Sequence, residues 1–281
     1  MKRSLILLAA GAISTSMASS ALATGTTYAL DLRASTTSTR LIVFPANAPA
    51  LNVVSTTGTY RGFAVDFDQT GTTLYGITNV VGGPQVFGTI SQTTANFTPI
   101  ANITGAGAAE TNWSGLSVDP NGTFYASASG GAGINNLYTL NPATGVTTLV
   151  GPMTNAGALF IDIAIDRNGL MYTNDIATDH LFSVNKATGA VTDIGATGQA
   201  TNFAQGMDFD WDTNTLYATL YTGGGTGVYA SINTATGAAT TILSTTAWNA
   251  EMEMAVKAGI PEPASLSLLG LAGLAALRRR R

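Results

Sequence analysis

The residues of this chain that could do chemistry are oxygen donors and aromatic rings. Cysteine is absent and there is one histidine. That excludes a disulfide framework, thiolate metal sites and a cysteine nucleophile. Asp162, Asp208, Glu251 and Glu253 stand out because they interrupt an otherwise regular repeat. Converging carboxylates suit a hard cation such as Ca²⁺, for which Asp208 and Glu253 are the leading candidates, joined by Asp162 and Glu251. The plain alternative is a set of solvated acids. Paired carboxylates are also what glycoside hydrolysis requires, but no stretch resembles those enzymes' motifs. A second series is aromatic: Tyr60, Trp113, Phe160, Phe203 and Trp248, with Asn112, Asn202 and Asn249 beside three of them. Such rings and amides suit sugar faces and hydroxyls, with exposure expected for Trp113 and Trp248. Packing between structural units is the competing explanation, and it is the expectation for Phe160 and Phe203. His180 has no serine partner and fits a solvated loop residue better than a general base.

The elements that must position these residues are legible in Gly115 to Gly151, where four short strands are separated by tight-turn signals. These are Leu116 to Val118, Thr123 to Ser127, Asn136 to Asn141 and Val146 to Val150, with Asp119-Pro120-Asn121-Gly122 and Thr144-Gly145 between them. The pattern recurs. Tyr28, Tyr75, Tyr125, Tyr172 and Tyr217 end the second strand of each unit, at spacings of 47, 50, 47 and 45 residues. Ala-Thr-Gly follows the third strand at Ala143, Ala187 and Ala235. Four strands in every 40 to 50 residues mark a β-propeller. First strands begin at Gly62, Gly115, Asp162 and Gly206, and the N-terminal unit lacks one. Glu251 to Met254 supplies it, so the expectation is an all-β, five-bladed propeller of four-stranded blades whose C-terminal strand completes the N-terminal blade. Asp66, Asp119, Asp166 and Asp210, four residues into each unit, are expected to cap turns.

The two ends read differently. Lys2 and Arg3 precede an apolar run from Leu5 to Ile13 and then Ala21-Leu22-Ala23, the layout of a signal peptide over residues 1–23. The propeller then occupies 24–258. Between the ends, fifteen acidic side chains face six basic ones, which argues against a nucleic-acid partner. From 259 to 281 come Pro261-Glu262-Pro263, an apolar run from Leu266 to Leu277 and the cluster Arg278, Arg279, Arg280 and Arg281. This tail resembles the PEP-CTERM sorting signal of Gram-negative bacteria. The resemblance implies handling by a membrane exosortase, transient membrane insertion, and a cell-surface or extracellular destination in organisms that make exopolysaccharide.

Three functions are compatible with this reading. The first is a non-enzymatic binding or scaffold module of the extracellular matrix or biofilm, with polysaccharide as ligand. The second is a carbohydrate-active hydrolase or lyase, and the third a purely structural matrix protein.

Overall fold

A computed structural model describes residues 24–32, 37–79, 83–130, 135–203, 205–244 and 251–258. The first sheet holds β1 (Thr26–Asp31), β2 (Thr39–Pro45) and β3 (Val53–Gly58). The second holds β4 (Val65–Phe67), β5 (Leu74–Thr78), β6 (Val86–Ile90) and β7 (Phe97–Asn102). A short β8 (Thr104–Gly105) crosses to the third, formed by β9 (Trp113–Val118), β10 (Phe124–Ser129), β11 (Asn135–Leu140) and β12 (Val146–Pro152). The fourth contains β13 (Phe160–Ile165), β14 (Met171–Asp175), β15 (His180–Val184) and β16 (Val191–Ala196). The fifth contains β17 (Gly206–Asp210), β18 (Thr215–Gly223), β19 (Thr226–Ile232) and β20 (Ala239–Ser244).

The last strand, β21 (Met252–Lys257), joins the first sheet in the order β21-β1-β2-β3. Its register is regular, with Glu253 opposite Leu30 and Ala255 opposite Tyr28. The innermost strands β21, β4, β9, β13 and β17 touch their neighbours all the way round, including β17 against β21 and β21 against β4. This is the five-bladed ring expected from the repeat, closed by the C-terminal strand. Closure covers the inner edge of the first blade, which would otherwise be left unpaired.

The repeated tyrosine is explained by blade-to-blade packing. Tyr28 meets Phe67 of the next blade edge-on at 5.2 Å, Tyr75 meets Phe124 at 5.2 Å, and Tyr172 meets Phe209 at 5.5 Å. Tyr217 stacks on Tyr229, whose ring meets Phe44 of the first blade. Edge-to-face aromatic pairs add about 0.5–1.5 kcal/mol each beyond the area they bury.

The Ala-Thr-Gly repeat has a second cause. In the turn after the third strand, the Asn141, Asn185 and Asn233 side chains accept the amides of Ala143, Ala187 and Ala235 at 2.9 Å. The chain then turns through Gly145, Gly189 and Gly237 at φ +69°, +78° and +80°. A Cβ on these glycines would run into the backbone carbonyl of the previous blade at Asn102, Gly151 and Gly195. Glycine is therefore demanded twice, by conformation and by close approach.

That double demand is testable. Gly237→Ala should cost about 3 kcal/mol or more in denaturant unfolding, because the added methyl meets the Gly195 carbonyl as well as a positive φ. Gly224→Ala, also at positive φ but with nothing near the added methyl, should cost about 1–2 kcal/mol from conformation alone. Equal losses would mean that the close approach of the blades contributes nothing.

Candidate functional site

The first-strand acids are brought together inside the ring, in a different register from that expected. Opposite the repeated tyrosines stand Ala255, Asp66, Ser117, Ala164 and Asp208. Asp208 therefore shares its level with Asp66. Glu253, two residues before Ala255, shares the level of Asp162, which lies two before Ala164. The expectation that Glu251 matches Asp162 is corrected by two residues. The same slip corrects Asp66. Asp119 and Asp166 do cap their turns, accepting the amides of Asn121 and Thr123 and of Asn168 and Leu170, and Asp210 accepts that of Asp212. In the second blade that job falls to Asp68, which accepts the Thr72 amide at 2.8 Å. In that blade Ala64, not Gly62, stands at the level of Gly115, because Asp66 faces Tyr75 as Ser117 faces Tyr125.

Asp66, Asp162 and Asp208 do something else: each carboxylate bridges two blades. Asp66 accepts the Phe67 amide at 2.6 Å with one oxygen and the Val118 amide of the next blade at 2.7 Å with the other. Asp162 does the same with Ile163 and Met207, at 2.7 and 2.6 Å. Asp208 does it with Phe209 and Val256, at 2.7 and 2.6 Å. Asp162 sits in a bulge at φ +62°, a conformation that aspartate tolerates better than most residues.

Glu253 differs. It is fully buried, and no donor meets either of its oxygens in hydrogen-bonding geometry. It faces the Asp162 carboxyl and the buried Tyr60. Burial, and then the charge of Asp162, push Glu253 well above the usual carboxylate range. Asp162 already holds two amides, which favour its charged form, so of the two acids Glu253 is the one kept neutral. A second such pairing joins Asp66 to Asp208. Burial, and next the charge of Asp208, raise Asp66 strongly. Burial raises Asp208 to about 7, opposed by the Val256 and Phe209 amides.

These acids are neither solvated nor arranged as a cation cage. Among the described residues no group of three or more His, Asp or Glu side chains is placed to hold a metal ion. The physical reason is that the oxygens of Asp162 and Asp208 already receive backbone amides, and the four acids are divided between two levels.

Above this plug lies a cleft of about 380 Å³, at the end of the ring where the inner strands begin. All five blades contribute. Phe63, Leu159, Ile161 and Ile176 form apolar walls, while Asn112, Ser114, Ser129, Asn202 and Glu251 supply polar groups. The Asn112 amide is fixed by Ser129, donating to its hydroxyl at 2.7 Å. Ser114 is buried with its hydroxyl unpartnered. Glu251, expected among the metal ligands, lines this mouth instead, buried to 6% exposure.

The aromatic series divides. Tyr60 and Trp113 are wholly buried, contrary to the exposure expected for Trp113. The Tyr60 hydroxyl donates to the carbonyls of Ala64 and Ile77, both at 3.0 Å. Trp113 packs against Tyr138, and Phe160 against Phe182. Phe203, expected to pack, is 58% exposed at the rim of the cleft. Its backbone lies at φ +55°, a costly conformation for a bulky residue. The buried Gln205 holds it there. Its amide nitrogen donates to the carbonyls of Asn202 (2.7 Å), Phe203 (3.3 Å) and Tyr221 (3.2 Å), and its oxygen accepts the Tyr221 amide at 2.6 Å. A spacing signal was available: Trp113 and Phe160 stand two residues before Gly115 and Asp162, whereas Phe203 stands three before Gly206. Trp248, Asn249, Pro261, Glu262, Pro263 and Arg278 to Arg281 lie outside the described residues. His180 pairs with Asp193 at 2.9 Å and takes no part in the cleft.

With the geometry in place, the comparisons bear on the tail. Residues 259–281 match the PEP-CTERM protein-sorting motif. The motif marks export through the membrane to the cell envelope or surface, with exosortase recognition at this end. No curated protein matches the chain. Among solved structures, a protein of unknown function from Bacteroides thetaiotaomicron VPI-5482 has 14% identity and a TM-score of 0.47, over 65% of this chain and 43% of that one. The chain thus spans less than half the length of that protein. A putative TolB from Agrobacterium tumefaciens has 15% identity and a TM-score of 0.44, over 78% and 70% of the two chains. A putative 6-phosphogluconolactonase from Bacteroides uniformis ATCC 8492 has 9% identity and a TM-score of 0.47, over 78% and 82%.

Two outcomes are expected. The first concerns pH. A carboxyl whose folded-state pKa is raised contributes stability that is complete at acid pH and lost as pH climbs through the folded value, which is about 7 for Asp208. Thermal stability should therefore fall as pH rises from about 4 through about 7. Glu253→Gln, whose amide hydrogen replaces the carboxyl hydrogen, should match the parent at the acid end and lose less at the alkaline end. A Glu253→Gln protein less stable at every pH would rule out the shared proton. The second concerns the aromatics: Trp113→Ala should cost about 3–5 kcal/mol in denaturant unfolding, and Phe203→Ala no more than about 0.5 kcal/mol. Comparable losses would contradict the division made here.

Proposed function

We propose that this exported propeller is a non-enzymatic binding module whose ligand enters the five-blade cleft, and that the ligand is a saccharide of the extracellular matrix. The observation carrying this reading is Phe203. An aromatic side chain held in a strained backbone conformation, with its ring presented to solvent beside a cleft, is costly to keep unless the ring is used. Around it the cleft offers what a sugar needs: flat apolar surface for the ring face, and two amides, two hydroxyls and one carboxylate for hydroxyl groups. Its volume is in the usual range for small-ligand sites. By this reading the protein works in the exopolysaccharide or biofilm matrix of a Gram-negative cell.

The chemistry of the site favours binding over hydrolysis. Glycoside hydrolysis needs two carboxyl groups flanking the scissile bond. Among the described residues lining the cleft, Glu251 is the one acid. The Asp162–Glu253 pair lies beneath, at 1% exposure or less, with both Asp162 oxygens held by backbone amides.

The test is a polysaccharide panel presented to the purified protein, followed by titration with oligosaccharides of the best binder. Saturable binding without product is expected, and Phe203→Ala should weaken it at least tenfold, about 1.4 kcal/mol, without a matching loss of stability. Released reducing ends would support the hydrolase instead. No saturable binding to any member would sink the saccharide reading.

A further inference from the structure

The positions of the two chain ends carry an inference about orientation. β21 begins at the cleft, next to Glu251, and finishes at the opposite opening of the ring, where Val256 and Ala258 sit against Asp68, Gln69 and Gly71. At the rise of a strand, Glu251 and Ala258 are about 23 Å apart. β1 runs antiparallel to β21, with Thr26 opposite Lys257. Gly25 lies against Val256 and Lys257 at the same opening. The chain therefore enters and leaves the propeller by the face opposite the cleft.

Very little chain separates this face from the sorting motif. Pro261 is three residues beyond Ala258, a reach of about 10 Å fully extended. Leu266, where the apolar run starts, can be no more than about 28 Å away. Whenever that run is in the bilayer, the propeller is held close, and the short tether selects the face that carries it.

The turns of this face carry Asp68, Asp119, Asp166, Asp210 and Asp212 against Arg167, Lys186 and Lys257, so the short tether rather than net charge brings it to the lipid surface. Its turn acids direct oxygens onto backbone amides, as Asp68, Asp119 and Asp166 show. Arg167 is exposed in the same set of turns, Lys186 reaches Asp119 there, and Lys257 ends the closing strand. We infer that the face bearing both termini docks on the surface of the membrane that holds the tail, turning the five-blade cleft outward.

The absence of cysteine makes single-site labelling of the full chain direct. Gln69→Cys marks the terminal face and Ala177→Cys, beside Ile176, marks the cleft face; both positions are exposed. Asn121→Cys and Thr154→Cys form an independent second pair. Each labelled protein is bound to vesicles of phosphatidylethanolamine and phosphatidylglycerol carrying a lipid-linked acceptor dye. At least twofold greater energy transfer from Gln69 than from Ala177 is expected, and the same order for the second pair. Equal transfer, or greater transfer from the cleft face, overturns the inference. Failure of the full chain to bind these vesicles also overturns it and leaves the face to the sorting enzyme. Because the readout involves no saccharide, it can fail while sugar binding stands, and the reverse.

Discussion

The ring depends on one hydrogen-bonding device used three times: an aspartate on an inner strand that accepts its own neighbour's amide with one oxygen and an amide of the next blade with the other. Asp66, Asp162 and Asp208 fasten the second blade to the third, the fourth to the fifth, and the fifth to the first. Bonds from a charged acceptor are stronger than neutral ones, and at the centre of the ring water does not compete for them. The cost is desolvation of several carboxyls in a small volume, where no Lys, Arg or His among the described residues is an influence on them. Proton sharing reduces that cost, because each pair of acids then carries one charge rather than two.

The same plug defines what the cleft can be. At the level of Ala64, Asp162 and Glu253 every one of these side chains has at most 1% exposure, so the ring is not an open pore. A ligand entering from the cleft side meets a closed floor. Its contacts must come from the rim and walls, where Phe203, Asn112 and Asn202 stand, and it cannot thread through to the face from which the tail departs.

Much of the fold was legible because its repeats are enforced by contacts that every blade needs. Each Tyr of the series must meet the neighbouring blade, and the glycines of the Ala-Thr-Gly turns must admit a neighbour's carbonyl. The candidate site was less legible because its residues are departures from the repeat. Glu253 was assigned to the wrong level because Gly62 and Glu251 were aligned with Gly115 and Gly206, whereas Ala64 and Glu253 hold those positions. Trp113 looked like a binding residue because an exposed series and a packed one have the same period. Phe203 was the informative member, displaced by one residue from the packing position, and periodicity treats such a displacement as noise.

Completion of the first blade by β21 has a consequence for timing. The first and last strands made must pair with each other, so the ring is open while any of the intervening chain is still crossing the membrane. Such a pairing spans nearly the whole domain, and contacts of that sequence separation form late and slowly. The blades can condense locally as they emerge, but the cooperative structure must wait for Met252 to Lys257. The sorting motif follows at once in the sequence. Maturation of the fold and presentation of the sorting signal are thus nearly simultaneous, which keeps the chain loose enough for passage until export of the propeller is complete.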